Sequence, residues 1–122
     1  MKPRNIKILQ RRGKDLQANI LNAHTIIVAS TTGSSANHVV TVEYEPDGVI
    51  RARCTCAWAI NGGIACSHVI AALEKLAETK GRTLSFWDER SDAERQKHRI
   101  FYLTGGRRQT EPGVWITSRQ AA

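Results

Sequence analysis

All three cysteines of the 122-residue chain fall within thirteen residues, as Cys54-Thr55-Cys56 and Cys66-Ser67-His68, and the second pair ends in a histidine. An odd number of cysteines cannot close into a disulfide framework, and thiols clustered in this way read as metal ligands in a reducing compartment. Thiolate and imidazole are the donors that tetrahedral Zn²⁺ prefers. Cys54, Cys56, Cys66 and His68 are therefore the candidate ligands of one zinc ion. Four such donors close the site, whereas a catalytic zinc keeps a position open for water. The expected role of the metal is structural, and no enzyme activity is expected.

The spacing constrains the local structure. Residues i and i+2 of a strand point to the same side, about 6.6 Å apart at roughly 3.3 Å per residue, so Cys54 and Cys56 can converge on one ion from a strand end. In a helix the same spacing separates side chains by about 200° at 3.6 residues per turn. Cys66 must then lie at or before a helix cap, with His68 in the first turn, where the helix dipole also favours a thiolate. The segment between the pairs contains Asn61-Gly62-Gly63 to reverse direction, and Trp58 and Ile60 to shield the ion.

The surrounding pattern suits this placement. The run 25–31 is rich in β-branched residues and is closed by Gly33-Ser34-Ser35, which predicts a strand and a turn. His38 to Glu45 alternates, Pro46-Asp47-Gly48 turns the chain, and Val49 to Cys56 continues as a strand. A three-residue loop with Gly48 in the left-handed region predicts a hairpin pairing Tyr44 with Ile50, Val42 with Ala52 and Val40 with Cys54. The opposite face then pairs Glu43 with Arg51 and Thr41 with Arg53. From Cys66 to Lys80 the apolar stripe Val69, Ile70, Leu73, Leu76 and Ala77 predicts a helix stopped by Gly81.

Outside this core, Leu16, Ile20 and Leu21 share a helical face, so a short amphipathic helix is expected over 14–22. Ser91-Asp92-Ala93-Glu94 fits a capping box opening a short helix to about His98. Strands are expected at Arg99 to Thr104 and Val114 to Ser118, around the Gly105–Gly113 loop. The expected organisation is a basic arm over 1–23, a zinc core over 24–81 and a basic extension over 82–122. The fold class expected is α+β, with a three-stranded antiparallel sheet packed on one helix around the zinc, and a C-terminal extension of a short helix and β-hairpin.

The run Cys54-Thr55-Cys56 … Gly63-Ile64-Ala65-Cys66-Ser67-His68-Val69-Ile70-Ala71 resembles the SWIM-type zinc finger, whose pattern is CxC, a variable gap, then CxH. The resemblance extends over residues 24–80 at most. It implies a ββα unit with zinc between the second strand and the helix, and it implies DNA binding or protein–protein contact rather than catalysis. Ala57 stands where many members have proline, and Ser67 where a lysine is frequent.

The formal charge of +7 is unevenly placed. Residues 1–14 carry six basic groups and no acid, residues 15–94 sum to −4, and residues 95–122 sum to +5. Basic ends invite phosphate contact, because Lys and Arg release counterions from nucleic acid. The candidates are Arg4, Lys7, Arg11, Arg12 and Lys14 in the arm, Arg53 on the hairpin, and Arg95, Lys97, Arg99, Arg107 and Arg108 in the extension. Arg51 has a local partner in Glu43, and Arg53 lacks one. Phe86, Trp87, Tyr102 and Trp115 suit a core better than base stacking. His24, His38 and His98 have no companions at ligand spacing and are expected to be incidental.

DNA or RNA is therefore the expected partner. The alternative is a protein–protein adaptor whose zinc is purely structural, which the acidic middle favours. No apolar run reaches the length of a membrane span, no signal-peptide core follows the N-terminus, and no small-molecule substrate is expected. These features point to the cytoplasm.

Overall fold

A computed structural model describes residues 16–22, 24–30, 38–55, 66–87, 89–96, 99–104 and 113–120. They form seven strands, β1 (Leu16–Asn22), β2 (Thr25–Ser30), β3 (His38–Tyr44), β4 (Val49–Cys54), β5 (Arg82–Trp87), β6 (Arg99–Thr104) and β7 (Val114–Gln120). Two helices complete them, α1 (Ser67–Glu78) between β4 and β5, and α2 (Arg90–Glu94) between β5 and β6. All seven strands belong to one sheet in the order β1-β2-β3-β4-β6-β7-β5. The first four form an antiparallel meander, β4 and β6 run parallel, and β6, β7 and β5 are antiparallel again.

The predicted hairpin is present in the predicted register, with Val40 opposite Cys54, Val42 opposite Ala52 and Tyr44 opposite Ile50. Gly48 has φ +78°, the left-handed conformation that a three-residue loop requires. Pairing continues past β4, because the Thr55 N–H donates to the Val39 carbonyl at 3.2 Å. Helix α1 begins one residue after Cys66, and Gly81 at φ +67° follows its end.

The expected fold class is overturned. The described residues are mostly strand, and the sheet has seven mixed strands where three antiparallel ones packed on a helix were expected. The reason lies in α1, which buries Val69, Ile70, Ala71, Ala72, Leu73 and Leu76. At 100° per residue these positions surround the first turns of the helix, and a helix apolar on all sides must be covered on all sides. Three strands cover one side. Here α1 touches β1 and β5, the two edges of the sheet, as well as β2, β3 and β4. A twisted sheet that curls around a helix makes those contacts together.

The helix expected over 14–22 is also overturned, since the chain from Leu16 forms β1, paired antiparallel with β2. Leu16, Ala18 and Ile20 alternate as well as they fit a helical face. They pack on the core beside Ile26 and Val28, and this tertiary partner decides between two periods over so short a run. Helix α2 forms where a helix was expected, but its N-cap is Glu89 and no side chain caps it, so the Ser91 capping box does not form. Strand β5 was not anticipated, although Leu84 and Phe86 alternate with Thr83 and Ser85.

Leu103 is fully buried on β6, in register with Ile50 of β4. Gly113 precedes β7 so closely that a Cβ there would collide with the Tyr102 ring and lie 2.6 Å from the Leu103 carbonyl oxygen. The C-terminal strands thus share the core of the hairpin. Leu103→Ala is expected to cost about 2–5 kcal/mol of unfolding free energy and to lower the denaturation midpoint of the whole sheet in one transition. A separate, unshifted transition for the β3–β4 region would contradict the shared core.

Candidate metal centre

The metal-ligating side chains collect where α1 starts against β3 and β4. Cys54 is the last residue of β4 and points to the inner, helix-facing side with Ile50 and Ala52, which are buried with it. Cys66 is the N-cap of α1 with extended backbone angles, φ −86° and ψ 163°. Its Sγ accepts the Val69 N–H at 3.4 Å. His68 follows in the first helical turn, as the CxH spacing required, and its Nδ1 is buried.

The ligating atoms of Cys54, His68 and His38 lie within 4.8 Å of one another. Zn–S bonds of about 2.3 Å and Zn–N bonds of about 2.0–2.1 Å put tetrahedral donors somewhat closer than this, so small side-chain rotations would close the set on an ion. A buried thiol and two imidazoles are soft, neutral-to-anionic donors, the chemistry that zinc selects. The donors therefore fit zinc. The structure brings Cys54 and His68 together and adds His38; Cys66 caps the helix beside them, and Cys56 lies outside the described residues.

His38 corrects the expectation that it is incidental. It opens β3 on the inner face, two residues before Val40, and its ring centroid lies 4.1 Å from that of His68. Sequence spacing to the cysteines could not show this. The signal available was its position, a polar residue in phase with the buried Val40 and Val42. His24 instead serves the fold, with Nδ1 2.9 Å from the Val42 carbonyl oxygen.

The three predicted phosphate-binding cations among the described residues are not gathered at one place. Arg53 is exposed on the outer face of β4, Arg95 is exposed at the C-cap of α2, and Arg99 lies on the inner face of β6. Arg4, Lys7, Arg11, Arg12, Lys14, Lys97, Arg107 and Arg108 lie outside the described residues, as does His98. Arg51 donates from Nε to Glu45 at 2.5 Å, while Glu43 is its register partner across the ladder. That hydrogen bond, with the charge of Glu45 behind it, raises the guanidinium above its ordinary pKa.

Sequence reasoning named Arg99 but missed the two cations that accompany it, Lys80 and Arg82. Lys80, Arg82 and Arg99 line one groove with Tyr44, Leu84 and Phe101, beside the C-terminal half of α1. Lys80 Nζ sits 5.8 Å from the centre of the Tyr44 ring, and the Arg99 guanidinium 5.2 Å from that of Phe101. Arg82 donates to the Ser118 hydroxyl at 2.6 Å and carbonyl at 2.8 Å. Lys80 and Arg82 are close in sequence, and Arg99 joins them from a different strand. Phe86 is in the core, while Trp87, Tyr102 and Trp115 are half-buried on the other face of the sheet. There the Trp87 indole donates to the Thr117 hydroxyl at 2.9 Å, and the Arg90 guanidinium lies 5.3 Å from the Trp115 ring centre.

Metal binding in a small zinc domain adds directly to its folding free energy. Chelation is expected to destabilise residues 38–80 and, through the shared core, the whole sheet, and Cys54→Ala and Cys66→Ala to do the same, read as a lowered midpoint by circular dichroism together with loss of bound zinc. A melt unchanged by chelator would contradict a structural zinc.

Among the described residues, no helix is long and apolar enough to cross a membrane. No curated protein and no solved structure matches the chain. One family model, described as the SWIM zinc finger, matches residues 38–77. That span runs from His38 through β3, β4, both cysteine pairs and α1. By its match and by the donors it brings together, the segment 38–77 is a SWIM zinc finger, a zinc-binding module.

Proposed function

We propose that the chain is an accessory module, stabilised by one zinc ion, that binds nucleic acid through its basic groups. The observation that carries this reading is the groove at the far end of α1, where Lys80, Arg82 and Arg99 converge beside two aromatic rings. Cations held over rings present positive charge to phosphate and a flat apolar surface to a base. The groove runs along the C-terminal half of α1, where Leu73, Leu76 and Ala77 also line it, whereas the metal donors meet its first turn. The basic ends of the chain, with six cations in residues 1–14 and a net +5 over residues 95–122, add sequence-independent affinity.

The zinc in this reading has no catalytic part, because the thiolates and imidazoles supplied by the finger fill a four-coordinate site. Clustered thiols suit a reducing compartment, and we place the chain in the cytoplasm. The second reading, a protein–protein adaptor, is favoured by one observation: residues 15–94, which include the finger, sum to −4. That charge repels phosphate and suits a basic protein surface.

Titration of DNA and RNA across a salt series separates the two readings. Binding is expected to weaken as salt rises, with a slope near 0.9 for each phosphate neutralised on duplex DNA. The Lys80→Ala/Arg99→Ala pair should flatten that slope by about 2, one per lost contact. Arg82 is left in place because Ser118 depends on it. No affinity at low salt, together with copurification of a protein after nuclease treatment, would establish the adaptor reading instead.

A further inference from the structure

We infer that strand β1 is an interface between two copies of this chain, paired antiparallel with itself about a two-fold axis at Ala18. The sheet of one protomer then runs on into that of the next. β1 ends the sheet, and among the described residues its outer edge pairs with no strand. A bare edge is a template for another chain, and folds that stay monomeric guard it with charge, proline or a covering element. The seven residues of β1, Leu-Gln-Ala-Asn-Ile-Leu-Asn, include no charge and no proline. The opposite edge, β5, opens on Arg82 and touches α2.

The apolar face is likewise left open at β1. Ile26 and Val28 of the neighbouring strand are fully buried, whereas Leu16, Ala18 and Ile20, which pack on the same core, are half-buried. Beside them a groove of about 410 Å³ runs between residues 16–20 and Ala71, Glu74, Lys75 and Glu78 of α1. These helix positions recur at three and four residues and so share one face. A strand laid along β1 lies against that face and completes the burial of the three apolar side chains.

The pattern of the edge itself selects a second copy as the occupant. β1 is regular from Leu16 to Ile20, and its register shifts after Ile20. Antiparallel pairing of that stretch with its own copy about Ala18 sets Leu16 opposite Ile20 and Ala18 opposite Ala18 on the inner face. On the outer face it sets Gln17 opposite Asn19. Apolar residues meet apolar ones and amides meet amides at every position, whereas an axis at Asn19 would set Leu16 against Asn22 and Gln17 against Leu21. The charges of the groove agree with this. Lys75 and Glu78 stand one helical turn apart on its wall. A two-fold operation reverses their order in the other copy, so that each Lys75 faces the partner's Glu78. An isologous interface requires such self-complementarity, and a peptide of one sign finds no matching wall there.

Sedimentation equilibrium of the full, zinc-loaded chain without nucleic acid is expected to show a monomer–dimer equilibrium. Gln17 and Asn19 are exposed, so charges placed there test the interface without entering the core. Gln17→Lys/Asn19→Lys and Gln17→Glu/Asn19→Glu each set two like-charged pairs face to face and should raise the dimer Kd by about tenfold or more. An equimolar mixture of the two variants should regain the dimer, because opposite charges then meet at the same positions. A mixture that stays monomeric overturns the pairing about Ala18, and a dimer that both variants keep lies elsewhere and overturns the interface. A wild-type chain that is monomeric at every concentration overturns the inference as well. So does a dimer that forms only when residues 1–14 are removed, because the chain's own arm is then what covers the edge. Amide exchange needs no variant: protection of the β1 amides should grow with the concentration of the wild-type chain, and protection independent of concentration would equally exclude β1.

Discussion

Enclosure of helix α1 is the constraint on which the rest of the structure depends. Its first turns carry Val69, Ile70, Ala71, Ala72 and Leu73 in an unbroken run, all buried. A large aliphatic side chain taken fully out of water contributes about 1.5–3 kcal/mol, and five consecutive positions point in every direction around the axis. Ala71 and Ala72 contribute less area but let strands approach closely. The sheet answers by curling, so that edge strands β1 and β5 both reach the same helix.

The metal centre is a by-product of that enclosure as much as of the cysteine motif. Helix α1 can start only where Cys66 caps it, and its first turn must lie against β3 and β4 for Val69 and Ile70 to be buried. His68 then has no choice but to face the ends of those strands, where Cys54 and His38 already point inward. The parallel pairing of β4 with β6 fixes the other end of the arrangement. It brings Arg99 beside the residues that follow α1 and so creates a basic groove from cations distant in sequence.

Much of the finger was legible in the sequence because its determinants are local. The hairpin register follows from alternation in His38 to Glu45 and from one glycine in a short loop, since a one-residue slip would reverse every face. The cap at Cys66 follows from the angular spacing of Cys66 and His68. The segment from Leu16 was misread for the opposite reason: seven residues with Leu16, Ala18, Ile20 and Leu21 satisfy a strand and a helix alike. Only β2, lying alongside, chooses between them. Strand β5 was missed although its alternation was present, because its apolar face is short.

By itself the sequence determined where the hairpin turns, how its strands align, and where the helix begins and stops, and it named the cysteines and His68 as candidate donors. Each of these depends on residues within a few positions of one another, through periodicity, turn chemistry and ligand spacing. Only the tertiary structure decided that three expected strands become part of seven, that His38 joins Cys54 and His68, and that Arg99 joins Lys80 and Arg82. These juxtapositions arise from pairings between distant segments, and those pairings are selected by the apolar surface of α1 that must be buried from every side.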